Sequence, residues 1–356
     1  MPPIALEAGD ESIIRVAVVG TAEELVPATI MNFPRRLDMD GVLKLGKSLE
    51  ALPQADEYIF DFSHFGHAEP FGMLFAAAII QEFLARRGAH VAAQNLQGCG
   101  YQSHMGFFQA IGIEHGNRPG DAAGGENYLP MTSMNVAALR RKADLQGVQL
   151  GDVIQSDAER MAERLARTDK GDIFDALSYS LREIIRNVAE HSEAPDVRFC
   201  LQHWPTKARV HLALLDCGIG IRRSLERNPH LRIETDLAAL RLALRPGISG
   251  KMYEGVARDE NNRWENSGYG LYLTSRLAAH FGNFWFFSGS SALAMSADRE
   301  RTEACPFAGT AIRISLDTRK IKGTKGLVAK FVAEGETRAA ATPGSSKSAS
   351  KGSQVG

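Results

Sequence analysis

The sequence predicts an α/β protein built as two domains. Three observations point there: a strand, helix, strand alternation between residues 58 and 93, a glycine-rich break at 116–125, and beyond it a long amphipathic helix followed by strands of alternating polarity. A chain of 356 residues with 44% apolar side chains can bury a core in each half.

In the first half, residues 13–19, 58–62 and 90–93 are short β-type runs. Between the last two, 71–87 reads as a helix, because Leu74, Ala78, Phe83 and Leu84 fall at helical spacing. The stretch GNRPGDAAGG at 116–125 favours turns over any regular element and closes a first domain, 1–120. Residues 121–170 then read as a linker with a connector helix over 156–168. A longer helix runs from 172 to about 190, and its Ile173, Leu177, Leu181, Ile184 and Val188 form one apolar stripe that should face a sheet. Strands are expected at 197–204, 209–215, 284–288, 292–297 and 310–316, and helices at 236–244 and 269–281, within a second domain spanning 171–318. Residues 319–356 form an extension. From about 335 it is small and polar, ending TRAAATPGSSKSASKGSQVG; such composition cannot offset its ordering entropy, so disorder is expected there.

Composition narrows the function classes. The 41 basic side chains nearly cancel the 42 acidic ones, so no overall field draws the chain to nucleic acid or acidic lipid, and neither is an expected partner. Cys99, Cys200, Cys217 and Cys305 stand far apart, without the pairing of a zinc site or the density of a disulfide framework; a reducing, cytoplasmic setting fits them. The longest apolar run, 71–80, is about half the ~20 residues a membrane span requires, and no signal-type segment opens the chain.

Chemistry concentrates in four places. On the helix from 172, Glu183, Asn187 and His191 stand at i, i+4 and i+8 and stack along one line beside the apolar stripe. A carboxylate there can orient or deprotonate water, and an Asn carbonyl oxygen is a hard ligand suited to Mg²⁺. The strand 209–215 turns Val210, Leu212 and Leu214 to one face and runs into Asp216-Cys217-Gly218-Ile219-Gly220. The acid is an acceptor for an amino group such as that of adenine, and the glycines let backbone approach a base. Gly268-Tyr269-Gly270-Leu271 opens the apolar helix 269–281, where unpaired backbone N–H groups can meet phosphate oxygens. Gly309-Thr310 opens the last strand and offers a hydroxyl. Each segment alone has an ordinary reading: a solvated helix face, a turn after a strand, a glycine turn before a helix. His191 by itself also suits a helix C-terminus through the helix dipole.

Taken together and in this order, E-x-x-x-N-x-x-x-H, D-x-G-x-G, G-x-G-L and G-T resemble the N, first-glycine, second-glycine and G-T boxes of the GHKL superfamily of ATPases and kinases (gyrase, heat-shock chaperone, histidine kinase, MutL). The resemblance covers about 172–316, where LREIIRNVAEHS and NSGYGLYLTSRLAAHFG look most like anti-sigma-factor serine kinases and histidine-kinase catalytic domains. It implies an α+β two-layer sandwich of the Bergerat type with ATP and Mg²⁺ as cofactors. On it, Asn187 is the Mg²⁺ ligand, Glu183 the catalytic base and Asp216 the adenine-reading acid. Gly218 and Gly220 shape the base pocket with Thr310 nearby; Gly268, Gly270 and Leu271 hold phosphates; His191 completes the first box. Residues 222–267 are the implied lid, with Lys251, Arg258 and Arg263 as basic candidates for the γ-phosphate.

In the first half, Tyr58-Ile59-Phe60-Asp61-Phe62-Ser63, then Glu69-Pro70-Phe71-Gly72-Met73 and Gly88-Ala89-His90-Val91, resemble the STAS domain of anti-sigma-factor antagonists. That family carries a phosphorylatable serine just ahead of the glycine, whereas Pro70 and Phe71 stand here. The resemblance therefore implies a docking module for a protein partner, with Ser63, Ser103 and His104 as ordinary surface residues. The whole is expected to be a Mg-dependent ATP-binding protein, an ATPase or an ATP-switched signalling protein. The alternative is an anti-sigma-type serine/threonine kinase acting on a separate protein; a homodimer is left open. Only about forty residues follow 316, so the transducer domain of a topoisomerase or chaperone is not expected.

Overall fold

Residues 14–19, 26–257, 263–264, 267–297, 299–342 and 344–350 are described by a computed structural model, a mixed α/β structure with parallel and antiparallel pairing. The chain divides into two units, Met1–Ala123 and Gly124–Gly356.

The first unit contains, in order, β1 (Ile14–Val19), β2 (Val26–Asn32), β3 (Arg36–Leu37), α1 (Met39–Ala51), β4 (Glu57–Asp61), β5 (His67–Ala68), α2 (Pro70–Arg87), β6 (His90–Gln94), α3 (Gly100–His104) and α4 (Phe107–Ala110). Its sheet runs β1-β2-β4-β6, with β1 antiparallel to β2 and the other pairs parallel, while β3 and β5 form a separate short pair. Along β4 the period of two is plain, since Tyr58 and Phe60 are buried and their neighbours part-exposed. Helix α2 starts on Pro70, whose missing N–H costs nothing in the first turn, and stops where Gly88 turns left-handed at φ 63°. Gly72 lets α2 touch β3: a Cβ there would stand 1.8 Å from the Leu37 carbonyl oxygen. Sequence periodicity does not announce α1, because Gly41 and Gly46 dilute its helical signal. Asp38 caps it by accepting from Gly41 N, and Val42, Leu45 and Leu49 are buried.

The second unit contains β7 (Tyr128–Asn135), α5 (Val136–Gln146), α6 (Leu150–Ala166), α7 (Asp172–Asn187), β8 (Asp196–Trp204), β9 (Arg209–Asp216), α8 (Gly220–Leu225), α9 (Asp236–Ala243), α10 (Gly270–Phe281), β10 (Gly282–Ser296), β11 (Arg299–Asp317) and α11 (Thr324–Ala340). Its sheet runs β10-β11-β9-β8-β7 with antiparallel neighbours throughout. The α7 stripe is used as its periodicity demands: Leu177, Leu181, Ile184 and Val188 share one core with Val197 and Phe199 of β8, Leu212 and Leu214 of β9, and Ile312 and Ile314 of β11. The two strands expected at 284–288 and 292–297 are one, β10, irregular about Gly289 at φ 66°.

Two expectations are corrected. Residues 121–170 are not a linker: β7 forms the sheet's edge on β8, and α6 buries Val153, Ile154, Ala158, Met161 and Leu165. An edge strand carrying Thr132 and Ser133 need not alternate cleanly, so its sequence reads as loop. Nor do the described residues after 335 lack structure, because α11 continues to Ala340, and Ser345 and Ala349 are buried. Small residues bury little area each, but they permit close approach. At Gly335 of α11 a Cβ would lie 2.8 Å from the Tyr272 ring. Among the described residues no helix is long and apolar enough to cross a membrane.

Candidate functional site

Helix α7 delivers Glu183 and Asn187 one α-turn apart, as the spacing predicts. After Asn187 the backbone passes into a π-helical turn, Val188–Ser192, so His191 leaves the expected straight line of three. The turn has a local cause. Ser192 Oγ donates to Val188 O at 2.9 Å, and the Ser192 carbonyl accepts from Ile219 N at 2.8 Å, tying the end of α7 to the loop after β9. Gly218 makes that contact feasible: a Cβ there would be 2.0 Å from Ser192 O.

Asp216 ends β9 opposite Thr310 of β11 and is 2% exposed. Burial pushes its carboxyl up to about 6, against hydrogen bonds from Gly218 N at 2.9 Å and from the Thr310 hydroxyl and N–H. Gly220 takes φ 74°, and the next residue's N–H donates to Ser288 Oγ at 2.9 Å, which in turn donates to Gly309 O at 2.8 Å. The acid and its glycines are thus held from both β10 and β11.

Gly268 (φ 72°) accepts from Gly247 N at 3.1 Å, and Gly270 begins α10, whose first turn has no side-chain cap. The contact that fixes this helix start is with Glu183: a Cβ on Gly270 would lie 2.0 Å from Glu183 Oε2. Glu183 is 3% exposed. Its Oε1 accepts from Arg182 Nε at 2.8 Å and pairs with Arg186 Nη1 at 3.6 Å, which offsets the cost of burying the charge. Arg182 stacks over the Tyr179 ring at 4.6 Å, and Arg186 Nη2 donates to Trp264 O at 2.5 Å. Trp264 is held in turn by Asp152 Oδ1, 2.8 Å from its Nε1. Asn187 is part-buried, and its Nδ2 has no hydrogen-bond partner among the described residues. Burial, then the charges of Lys251, Arg186 and Arg227, push the His191 imidazole down to about 3 and keep it neutral.

Glu183, Asn187, His191, Asp216, Gly220, Gly268, Gly270, Leu271 and Thr310 all line one cavity of about 930 Å³, counted to its open mouth. Gly218 lies one step behind, under Asp216. Leu214, Leu225, Ile248, Phe286 and Ile312 give the cavity apolar walls, beside the polar groups brought by α7, β9 and the start of α10. Of the three basic candidates at 222–267, Lys251 donates to Glu190 O at the α7 end, Arg263 lies over the Trp264 ring at 5.2 Å, and Arg258 falls outside the described residues. No group of three or more His, Cys, Asp or Glu is placed to hold a metal among the described residues. In the first unit Ser103 Oγ donates to Cys99 O at 2.8 Å, and Pro70 and the buried Phe71 occupy the start of α2.

The sequence reading missed Arg182, Arg186, Ser288 and Trp264. The signal for the two arginines was present, since they stand at −1 and +3 from Glu183 on one helix. Ser288 and Trp264 carry no such signal, because only the fold brings them near. No protein-family model matches this chain, and no curated protein is similar to it.

Proposed function

We propose that the second unit binds ATP with Mg²⁺ in this cavity, as an ATP-hydrolysing or ATP-switched signalling protein with a GHKL-type site. The observation that carries the reading is convergence: four segments spread from residue 183 to residue 310, each ordinary alone, line one cavity. Adenine fits beside Asp216, whose carboxylate is an acceptor for its amino group, against Leu214 and Phe286. Phosphates fit at the uncapped start of α10, where backbone N–H groups and the helix dipole favour negative charge.

Mg²⁺ fits as an ion carried mainly by phosphate oxygens, because the described residues offer no cluster of carboxylates to cage it, and Asn187 lines the cavity with a side-chain amide whose oxygen is a hard ligand. Bound there, it would neutralise phosphate charge. Asn187 would hold it through its side-chain oxygen, and Lys251 would add positive charge from the α7 end. Glu183 would orient or deprotonate the attacking water, or a protein hydroxyl in the kinase alternative, with Arg182 and Arg186 fixing Oε1 and leaving Oε2 toward Gly270. The first unit, lacking a hydroxyl at 70 and 71, would dock a protein partner.

The test is binding and phosphate release with γ-labelled ATP and Mg²⁺, with protein-bound label counted in the same tubes. Native binding is expected, lost in Asn187→Ala, and turnover is expected to fall at least ~100-fold in Glu183→Ala, the scale of a missing general base. Label on an added protein would assign the acceptor as a protein hydroxyl. No nucleotide binding by the native chain would overturn the reading.

A further inference from the structure

Residues 344–349 belong to the stretch whose composition predicts disorder, yet they are tied to the back of the cavity wall. Ser346 N donates to Gly247 O at 2.8 Å and Gly247 N donates to Gly268 O at 3.1 Å, so tail, wall and phosphate-side glycine form one backbone relay. Gly247 sits at φ 75° with no room for a side chain: a Cβ would stand 2.3 Å from Ser346 O. Asn228 is 0% exposed. Its Nδ2 donates to Ser249 O at 3.0 Å and to Gly344 O at 3.3 Å, while its Oδ1 accepts from His230 N at 3.0 Å. The tail's other side is fastened to α11 and the turn after it. Ser345 Oγ and Lys347 Nζ both donate to Ala339 O and Thr342 O, and Ala349 N donates to Glu336 Oε1 at 3.1 Å. On the opposite side of the same wall, Ile248, Ser249 and Gly250 line the cavity.

We infer that residues 344–349 are a strap that holds the 247–250 wall against the cavity, with Asn228 as the positioning residue that knots strap to wall, and that the strap slows nucleotide release. The inference rests on the nucleotide reading for its ligand, not for its geometry. The physical argument is that Asn228 is fully enclosed, so its amide cannot exchange either carbonyl for water; freeing the strap leaves a buried donor unmet and loosens the wall it was holding.

The experiment uses the chain ended after Thr342, which keeps α11, and full-length Asn228→Ala. Two quantities are read: amide hydrogen exchange at 247–250, and dissociation of a fluorescent ATP analogue with Mg²⁺. Exchange at 247–250 is expected to rise about tenfold in both variants with β9 and α7 unchanged, and dissociation to quicken about tenfold, the equivalent of one hydrogen bond. A synthetic peptide of residues 341–356 should restore both in the shortened chain. Unchanged exchange at 247–250 in Asn228→Ala overturns the strap whatever the nucleotide does. Raised exchange with unchanged dissociation overturns its control of release. Raised exchange with no analogue bound by the native chain supports the tie and removes the nucleotide reading instead. If the shortened chain loses protection throughout, Asn228→Ala decides by the same two readouts.

Discussion

Asp216 and His191 face the same cavity and titrate in opposite senses. Burial raises the Asp216 carboxyl to about 6, above its ordinary value, so the folded protein holds that proton longer than the unfolded chain. Stability from this group is present below about pH 4 and is lost as pH rises through about 6. His191, pushed down to about 3, resists protonation when folded; its contribution is present above about pH 6.5 and is lost as pH falls. Between those limits the slopes oppose, and substitution separates them. His191→Gln should be more stable, relative to native, at about pH 5 than at about pH 7.5, by about 2 kcal/mol, measured by urea unfolding at both values. Equal offsets would show that His191 is not held neutral. If Asp216 reads adenine as a carboxylate, ATP affinity falls as pH drops below about 6, and Asp216→Asn binds weakly at every pH; calorimetric titration checks this. At this scale the sequence named positions that line one cavity but not their charge states, which depend on burial by segments far along the chain.

At the scale of elements, α7 concentrates the site because it combines an apolar stripe with a second line that the core only partly covers. Glu183 lies on that line with two guanidiniums on Oε1, so Arg182→Met should cost about 3–5 kcal/mol by leaving a buried carboxylate under-paired. Combining it with Glu183→Gln should recover part of that loss in a double-mutant cycle, while additive costs would deny the coupling. The π-turn at the helix end is the element periodicity cannot foresee. It follows from the Ser192 carbonyl being drawn to the loop after β9, where Gly218 leaves room. Gly218→Ala places a Cβ 2.0 Å from that carbonyl, so the loop must move. The expected result is at least ~10-fold weaker ATP binding with secondary structure retained by circular dichroism; native affinity would show that the loop does not shape the pocket.

At the scale of the whole molecule, the second unit begins before the helix that carries the site. A chain starting at 124 is expected to unfold cooperatively, whereas one starting at 171 loses the edge strand β7 and the buried face of α6 and should fail to give a single transition in denaturant. Two equal cooperative transitions would show that 128–166 is dispensable. The sequence by itself determined two kinds of element: β4, the α7 stripe and β8, whose periods are written by the local burial of side chains, and α2, β9 and α10, whose apolar runs are buried over most of their length. It also determined which polar residues stand at the ends of those elements. Tertiary structure alone decided what depends on close approach between distant segments: the half-exposed β7, the arginine pair on Glu183 with Trp264 behind it, and the small-residue C-terminal segment that packs where its composition predicts disorder. A period records which face is buried, but it cannot record how near another backbone comes, and at Gly218, Gly247 and Gly270 that nearness is what builds the cavity.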